Sequence, residues 1–209
     1  MQFKFIIGQQ EVKEKLLNSF NKKRVAHTQL FLGPEGNGSL ALAIAFAQYV
    51  NCRNRTEADS CGKCPSCLKF QKFAHPDLHF FFPTTTNDRV KKEPKSELFM
   101  EEWRNYLGNF ESYPTQKGWY EAIRAGNKQG MIYVRDASSF IQHLALKAFE
   151  SEYRTFIIWL PEKLHPAASN KLLKTFEEPP DNTLIFLIAE RYELLLPTVR
   201  SRAQLVKVP

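Results

Sequence analysis

The chain has no run approaching the roughly 18 consecutive apolar residues that a membrane-spanning helix requires. Its opening residues, MQFKFIIGQQEVKEK, carry neither the long apolar stretch nor the small-residue cleavage site of a signal peptide. It contains no low-complexity tract and no internal repeat. Its five histidines (His27, His75, His79, His143 and His165) form no spaced ligand set, and no serine sits in a nucleophile elbow. These absences exclude membrane-spanning, collagen-like, secreted and disordered classes. A soluble, cytoplasmic protein is the expectation.

What is present supports a globular domain. The chain has 209 residues, 43% hydrophobic and 24% charged, with seventeen Phe. That suffices for one domain with a real core, or one domain carrying a small appendage. The net charge is +7, compatible with a polyanionic or acidic partner but not diagnostic of one.

All four cysteines (Cys52, Cys61, Cys64 and Cys67) lie within sixteen residues, spaced C-x8-C-x2-C-x2-C. Four thiolates so close together suit tetrahedral zinc, and with four ligands the site is closed, hence structural. Two disulfides and a thioredoxin-like pair are the alternatives. A cytosolic chain disfavours the first, and CGKC and CPSC share Cys64, which disfavours the second. Arg53, Arg55, Lys63 and Lys69 lie nearby. They offset the extra negative charge of a zinc tetrathiolate, or make a basic ribbon for nucleic acid or another subunit.

Short apolar runs bounded by turn signals read as buried parallel strands: Leu30–Leu32, Leu78–Phe82, Phe156–Leu160, Leu184–Ile188, with Leu205–Val208 as a fifth. Helical patterns lie between them. Glu11–Phe20 sets Val12, Leu16, Leu17 and Phe20 on one face. Ile141, Leu144, Ala145 and Ala148 repeat that spacing, with Asp136 as the start signal, and Ala167–Glu178 is stopped by Pro179-Pro180. The alternation predicts a three-layer α/β sandwich. The stretch 84–130 breaks the rhythm and reads as an insertion with helices around Glu97–Leu107 and Gln116–Arg124. Its aromatics, Trp103 and Trp119 among them, make either a small core of their own or an exposed partner surface.

After the first strand comes Gly33-Pro34-Glu35-Gly36-Asn37-Gly38-Ser39-Leu40. The glycines match the phosphate-loop template G-x-x-x-x-G-K-[ST], but the two chemical positions do not. Ser39 stands where Lys reaches the β- and γ-phosphates, and Leu40 where a hydroxyl holds Mg2+. Ser39–Val50 contains no charged residue that could substitute. Gly33, Gly36, Gly38 and Ser39 can still offer backbone N–H groups to an anion, so nucleotide binding without hydrolysis stays open beside no binding at all. The third strand ends in apolar residues rather than the Mg2+-holding Asp of P-loop ATPases, and Glu162 comes two or three residues late.

Taken in order, several segments carry a resemblance. Ile6-Ile7-Gly8-Gln9, His27-Thr28-Gln29-Leu30-Phe31-Leu32-Gly33-Pro34, the cysteine module, Ala168-Ser169-Asn170-Lys171-Leu172-Leu173-Lys174-Thr175-Phe176-Glu177-Glu178-Pro179-Pro180 and Leu196-Pro197-Thr198-Val199-Arg200-Ser201-Arg202-Ala203 resemble the bacterial clamp-loader AAA+ family of DNA polymerase III. Within it the degenerate loop is similar to the delta-prime type. The resemblance implies a P-loop NTPase (AAA+) sandwich with a mainly parallel five-stranded sheet over 1–209. The zinc module 52–67 is inserted after the phosphate-loop helix, and 84–130 is a lineage-specific insertion. It implies a subunit without autonomous catalysis that braces the ring during sliding-clamp loading and assembles with gamma/tau ATPase and delta subunits. Sliding clamp and primed DNA are met through the complex. The family's S-R-C arginine corresponds to Arg202, an arginine finger acting in trans, although Ala203 replaces the Cys. ATP binding is not expected. The family pattern continues into a helical lid and collar, and a chain ending at Pro209 is expected to lack both. A gamma/tau-like ATPase and a zinc-ribbon nucleic-acid binder are the competing readings.

Overall fold

The computed structural model describes residues 1–109 and 113–209. Five strands form one sheet: β1 (Thr28–Leu32), β2 (Leu78–Phe81), β3 (Arg154–Trp159), β4 (Thr183–Ala189) and β5 (Gln204–Lys207). Their spatial order is β2-β3-β4-β1-β5, and every neighbouring pair is parallel. All five apolar runs became strands, with no bound shifted by more than two residues, but β5 at the sheet edge is mostly exposed rather than buried. The third run stops before Leu160, whose φ of 58° turns the chain away from the sheet.

Parallel strands need crossovers, and helices supply them. After α1 (Gln10–Asn21), which precedes β1, they are α2 (Ser39–Val50), α3 (Pro65–Gln71), α4 (Met100–Gly108), α5 (Gln116–Ala122), α6 (Val134–Ala145), α7 (Pro166–Glu177) and α8 (Pro197–Arg200). Side chains alternate along each strand, so the sheet feeds two cores. Phe31, Ile157, Trp159, Phe186 and Ile188 meet α1 and α2 on one face. Leu30, Phe156, Ile158, Ile185 and Leu187 meet Phe140 of α6 and Leu172 and Phe176 of α7 on the other. This is the three-layer α/β sandwich that the alternation of strands and helices predicts. The uncharged segment Ser39–Val50 is a helix with every residue buried. No helix among the described residues is long and apolar enough to cross a membrane.

Two expectations need correction. Helix α6 begins at Val134 and ends at Ala145. Its buried face is Ala137, Phe140 and Leu144, while Ala145 and Ala148 are exposed. The start signal explains the early boundary: the Asp136 carboxylate accepts the N–H groups of Tyr133 (2.9 Å) and Ser96 (2.7 Å). The helix is closed by the buried Arg154, whose guanidinium donates to the carbonyls of Leu144 (2.7 Å) and Leu146.

The second correction concerns the insertion. Helices form near the predicted positions, as α4 and α5, but among the described residues of 84–130 the tryptophans make neither a separate core nor a surface. Trp103 and Trp119 are fully buried and pack edge to face at 5.0 Å. Trp103 also stacks on Phe82 at 4.3 Å and lies 5.2 Å from Trp159 of β3. Aromatics next to an open sheet face bury more surface by joining that core than by making their own.

Candidate functional site

The phosphate loop follows β1 at the carboxyl edge of the sheet, where open α/β sheets place their ligands. The Gly33 N–H donates to the Ala189 carbonyl at 3.2 Å, pinning the loop to β4. A side chain at Gly33 would overlap Asn37 and the Val208 carbonyl. Gly38, at φ 86°, turns the chain into α2. The Asn37 side chain shapes the rest: its Oδ1 accepts the Ser39 N–H (3.0 Å) and hydroxyl (2.8 Å), and its Nδ2 donates to the Val208 carbonyl (2.7 Å). The structure therefore brings Gly33, Gly36, Gly38 and Ser39 together in one cradle, with Ser39 buried and bonded locally.

That cradle is filled by the chain itself. The Tyr113 ring lies over Gly38, 3.0–3.4 Å from where a Cβ would stand, and Pro114 lines the same space. The remaining cavity is about 20 Å³, room for a single water. The Tyr113 hydroxyl accepts the Ile7 N–H at 3.0 Å. Sequence reasoning missed Tyr113 because nothing in its local pattern marks it; it is brought over the loop from the insertion. Asn37 could have been read from its place between two glycines, where an Asn side chain commonly bonds the backbone two residues on.

Carboxylates crowd the rim. A short 3-10 turn after β3 (Pro161–Lys163) carries Glu162 against the end of β4, where its Oε1 accepts the Glu190 N–H at 3.0 Å. Burial pushes the Glu162 carboxyl above its usual range. Burial, reinforced by Glu35 and Glu162, raises Glu190 to about 7. An ordinary Glu titrates near pH ~4.3, so the folded chain holds this proton more tightly than the unfolded one. The associated stability is complete below about pH 4.3 and is lost as pH rises through about 7. Glu190→Gln is therefore expected to stabilise the domain at pH 8 by about 1–2 kcal/mol, a partly solvated site screening the full shift. It should change little at pH 4. Thermal melts at the two pH values measure this, and equal shifts at both would refute it.

The cysteines converge as their spacing predicted. The Sγ atoms of Cys52, Cys61, Cys64 and Cys67 all lie within 4.8 Å of one another, and no disulfide joins any two of them. Cys61 and Cys67 stand 3.9 Å apart, against about 3.8 Å for the edge of a tetrahedron with ~2.3 Å Zn–S bonds. The Cys61 N–H points to the Cys52 sulfur (3.2 Å) and the Cys64 N–H to the Cys61 sulfur (3.3 Å). Burial pushes Cys61 up, but hydrogen bonds from the Lys63 and Cys64 amides outweigh it and bring its thiol down to about 6. Burial holds Cys52 and Cys67 high. Buried sulfurs in a tetrahedral arrangement fit a thiophilic metal ion, whose charge favours their ionised forms.

Arg202 stands apart from the phosphate loop. It precedes β5, whose first residue pairs with Gln29, so it lies at the amino edge of the sheet, while the loop begins beyond Leu32 at the carboxyl edge. Its Nε pairs with Glu177 at the end of α7 (2.6 Å), and its Nη1 donates to the Thr198 carbonyl (2.8 Å). The neighbouring Arg200 lies over the Tyr192 ring at 4.9 Å. The histidines do not converge on a site: His79 stacks between His143 (4.6 Å) and Phe156 (4.8 Å), and burial lowers it to about 4.

Comparison with known proteins gives the family. The chain is 30% identical over 192 residues to the DNA polymerase III subunit delta' of Escherichia coli (strain K12), covering 92% of this chain and 45% of that protein. It is 28% identical over 196 residues to the subunit delta' of Bacillus subtilis (strain 168), covering 94% and 46%. The DNA polymerase III subunit gamma/tau of Mycobacterium tuberculosis (strain ATCC 25618 / H37Rv) is 26% identical over 200 residues, covering 96% and 27%. The chain thus spans under half the length of these relatives. A DNA polymerase III, gamma subunit-related protein from Thermotoga maritima shares the fold, with a TM-score of 0.54 at 17% identity over 97% of this chain and 46% of that one. The model of the family described as "DNA polymerase III, delta subunit" matches residues 8–209. With that match over nearly the whole chain, and the delta' subunits among its relatives, the chain belongs to the delta-prime family of DNA polymerase III clamp-loader subunits.

Proposed function

We propose that this chain is the AAA+ core, 1–209, of a non-hydrolysing, delta-prime-type clamp-loader subunit. It works in the cytoplasm within the polymerase III holoenzyme, bracing the ring with gamma/tau and delta subunits as a sliding clamp is loaded on primed DNA. One observation carries the reading: the phosphate cradle has lost its cation and is filled by Tyr113 and Pro114 beneath a rim of carboxylates. Phosphoryl transfer is almost wholly charge stabilisation and positioning, and neither a Lys nor a Mg2+-holding hydroxyl is present to supply it. Arg202, partly exposed at the far edge, is suited to act only on a neighbour's nucleotide, its Glu177 pair exchanging for phosphate on assembly. Zn2+ on Cys52, Cys61, Cys64 and Cys67 has a structural role, because four protein ligands leave no open position.

The gamma/tau relatives favour a second reading, an ATPase with an unusual site. It requires a substitute cation, yet Lys171 is engaged with Ser138 of α6 at 2.8 Å. For the zinc-ribbon nucleic-acid reading the nearest thing to a further basic stripe is Lys91, Lys92 and Lys95, and two of these are in ion pairs, Lys91 with Asp88 (3.1 Å) and Lys95 with Glu97. Titration with a fluorescent ATP analogue and Mg2+ tests the main reading. No binding up to about 1 mM, a free energy near −4 kcal/mol, is expected. Tight Mg2+-dependent binding would restore the ATPase reading.

A further inference from the structure

We propose that the four-cysteine module anchors a strap, residues 2–9, that holds Tyr113 on the phosphate loop, so that metal occupancy at the cysteines governs access of a phosphate-bearing ligand to that loop. Both ends of the strap are tied by specific bonds. At one end the buried Gln2 side chain donates to the Ser60 carbonyl at 2.6 Å. It packs so closely on Gly62, at φ 70°, that a Cβ there would come within 2.5 Å of the Gln2 Oε1. The amides of Phe3 and Lys4 both donate to the Asp59 carboxylate, at 3.2 and 3.1 Å. Asp59, Ser60 and Gly62 flank Cys61, whose position depends on the sulfur cluster.

At the other end the Ile7 amide donates to the Tyr113 hydroxyl at 3.0 Å, and the Gln9 side chain donates to the Asn37 carbonyl at 3.3 Å. Between them only Phe3 and Ile6 are buried, while Phe5 is 66% and Ile7 85% exposed. Phe3 and Ile6 in the main core and the Lys13 Nζ bond to the Ile6 carbonyl (2.6 Å) hold its middle, so the terminal bonds are what tie it to the cysteine module and to Tyr113. Without a metal, the buried thiols lose the charge that orders them, the turn at Asp59–Gly62 loosens, and the strap releases Tyr113. The inference rests on the reading of the loop as a non-hydrolytic site, but it is tested by exchange rather than by turnover.

The experiment is hydrogen exchange on the full-length protein, metal-loaded and after chelation, with Asp59→Ala as a variant that keeps all four cysteines. Chelation is expected to speed exchange in residues 2–7 and 36–39 together, by roughly 10-fold or more. Asp59→Ala should do the same with metal bound, and added pyrophosphate should then slow exchange at 36–39. Faster exchange confined to 52–67, with 2–7 and 36–39 unchanged, overturns the proposal. If chelation unfolds the whole protein, the variant decides, and an unchanged loop in it overturns the proposal equally. Tight ATP binding by the metal-loaded wild type would show that Tyr113 does not close the loop and would overturn this proposal together with the non-hydrolysing reading, whereas faster exchange confined to 52–67 without ATP binding overturns the strap alone.

Discussion

On the proposed finger role, Arg202→Ala in the full-length subunit assembled with ATPase subunits is expected to slow hydrolysis at the adjoining ATP site by about 10³-fold or more, the range for loss of an arginine finger. The argument is positional. Arg202 lies across the sheet from its own phosphate loop, so whatever phosphate it serves belongs to another subunit. Its guanidinium is partly exposed, and its partner Glu177 is more so, at 47%. Losing such a surface pair changes stability by no more than ~1 kcal/mol. The variant should therefore melt near the wild-type temperature while DNA-stimulated ATPase falls by the share of one site. Arg202→Lys keeps the charge but loses the planar fork, and should recover little. Arg200→Ala, whose guanidinium rests on Tyr192, should hydrolyse like wild type. Unchanged hydrolysis in Arg202→Ala would remove the finger role and leave the Glu177 ion pair as its whole function.

Removing the metal is the second large effect. An ion held ~1,000-fold below its working concentration contributes about 4 kcal/mol to the folded state. For a domain of this size that corresponds to a fall of about 8–16 °C in Tm. The loss would not stay in the module. Cys67 and Phe70 are fully buried, and the module packs on the end of α2, whose Tyr49 and Val50 would be exposed to water as it opens. Chelation, or Cys67→Ser, should lower Tm by that amount, and restoring zinc should recover it for the wild type alone. Metal analysis should find one zinc per chain. A melt indifferent to chelator would return the cysteines to the redox reading.

Some features were readable locally because they depend on few residues. The four cysteines needed only their spacing to converge, since each C-x2-C turn sets its two sulfurs side by side. Four strands were readable as apolar runs because a parallel strand inside the sheet is buried on both faces and needs no partner to declare its pattern, whereas β5, at the edge, is mostly exposed. Helix α6 was misplaced for the opposite reason. Its limits are set by Ser96, which shares the Asp136 carboxylate, and by Arg154, which reaches back to Leu144, and neither is near in sequence.

The missing Lys and hydroxyl at Ser39 and Leu40 were decided by the sequence alone, because a side chain that is absent cannot be supplied by folding. So were the convergence of the four cysteines and the position of the five strands. Only the tertiary structure decided that the insertion joins the main core through Trp103 and Trp119, and that its Tyr113 covers Gly38. Only it could show that Glu35, Glu162 and Glu190 share one rim, and that Arg202 faces away from its own loop. The physical reason is common to all of these. Each is a contact between residues far apart in the chain, made by packing on a sheet whose strand order the linear sequence does not display.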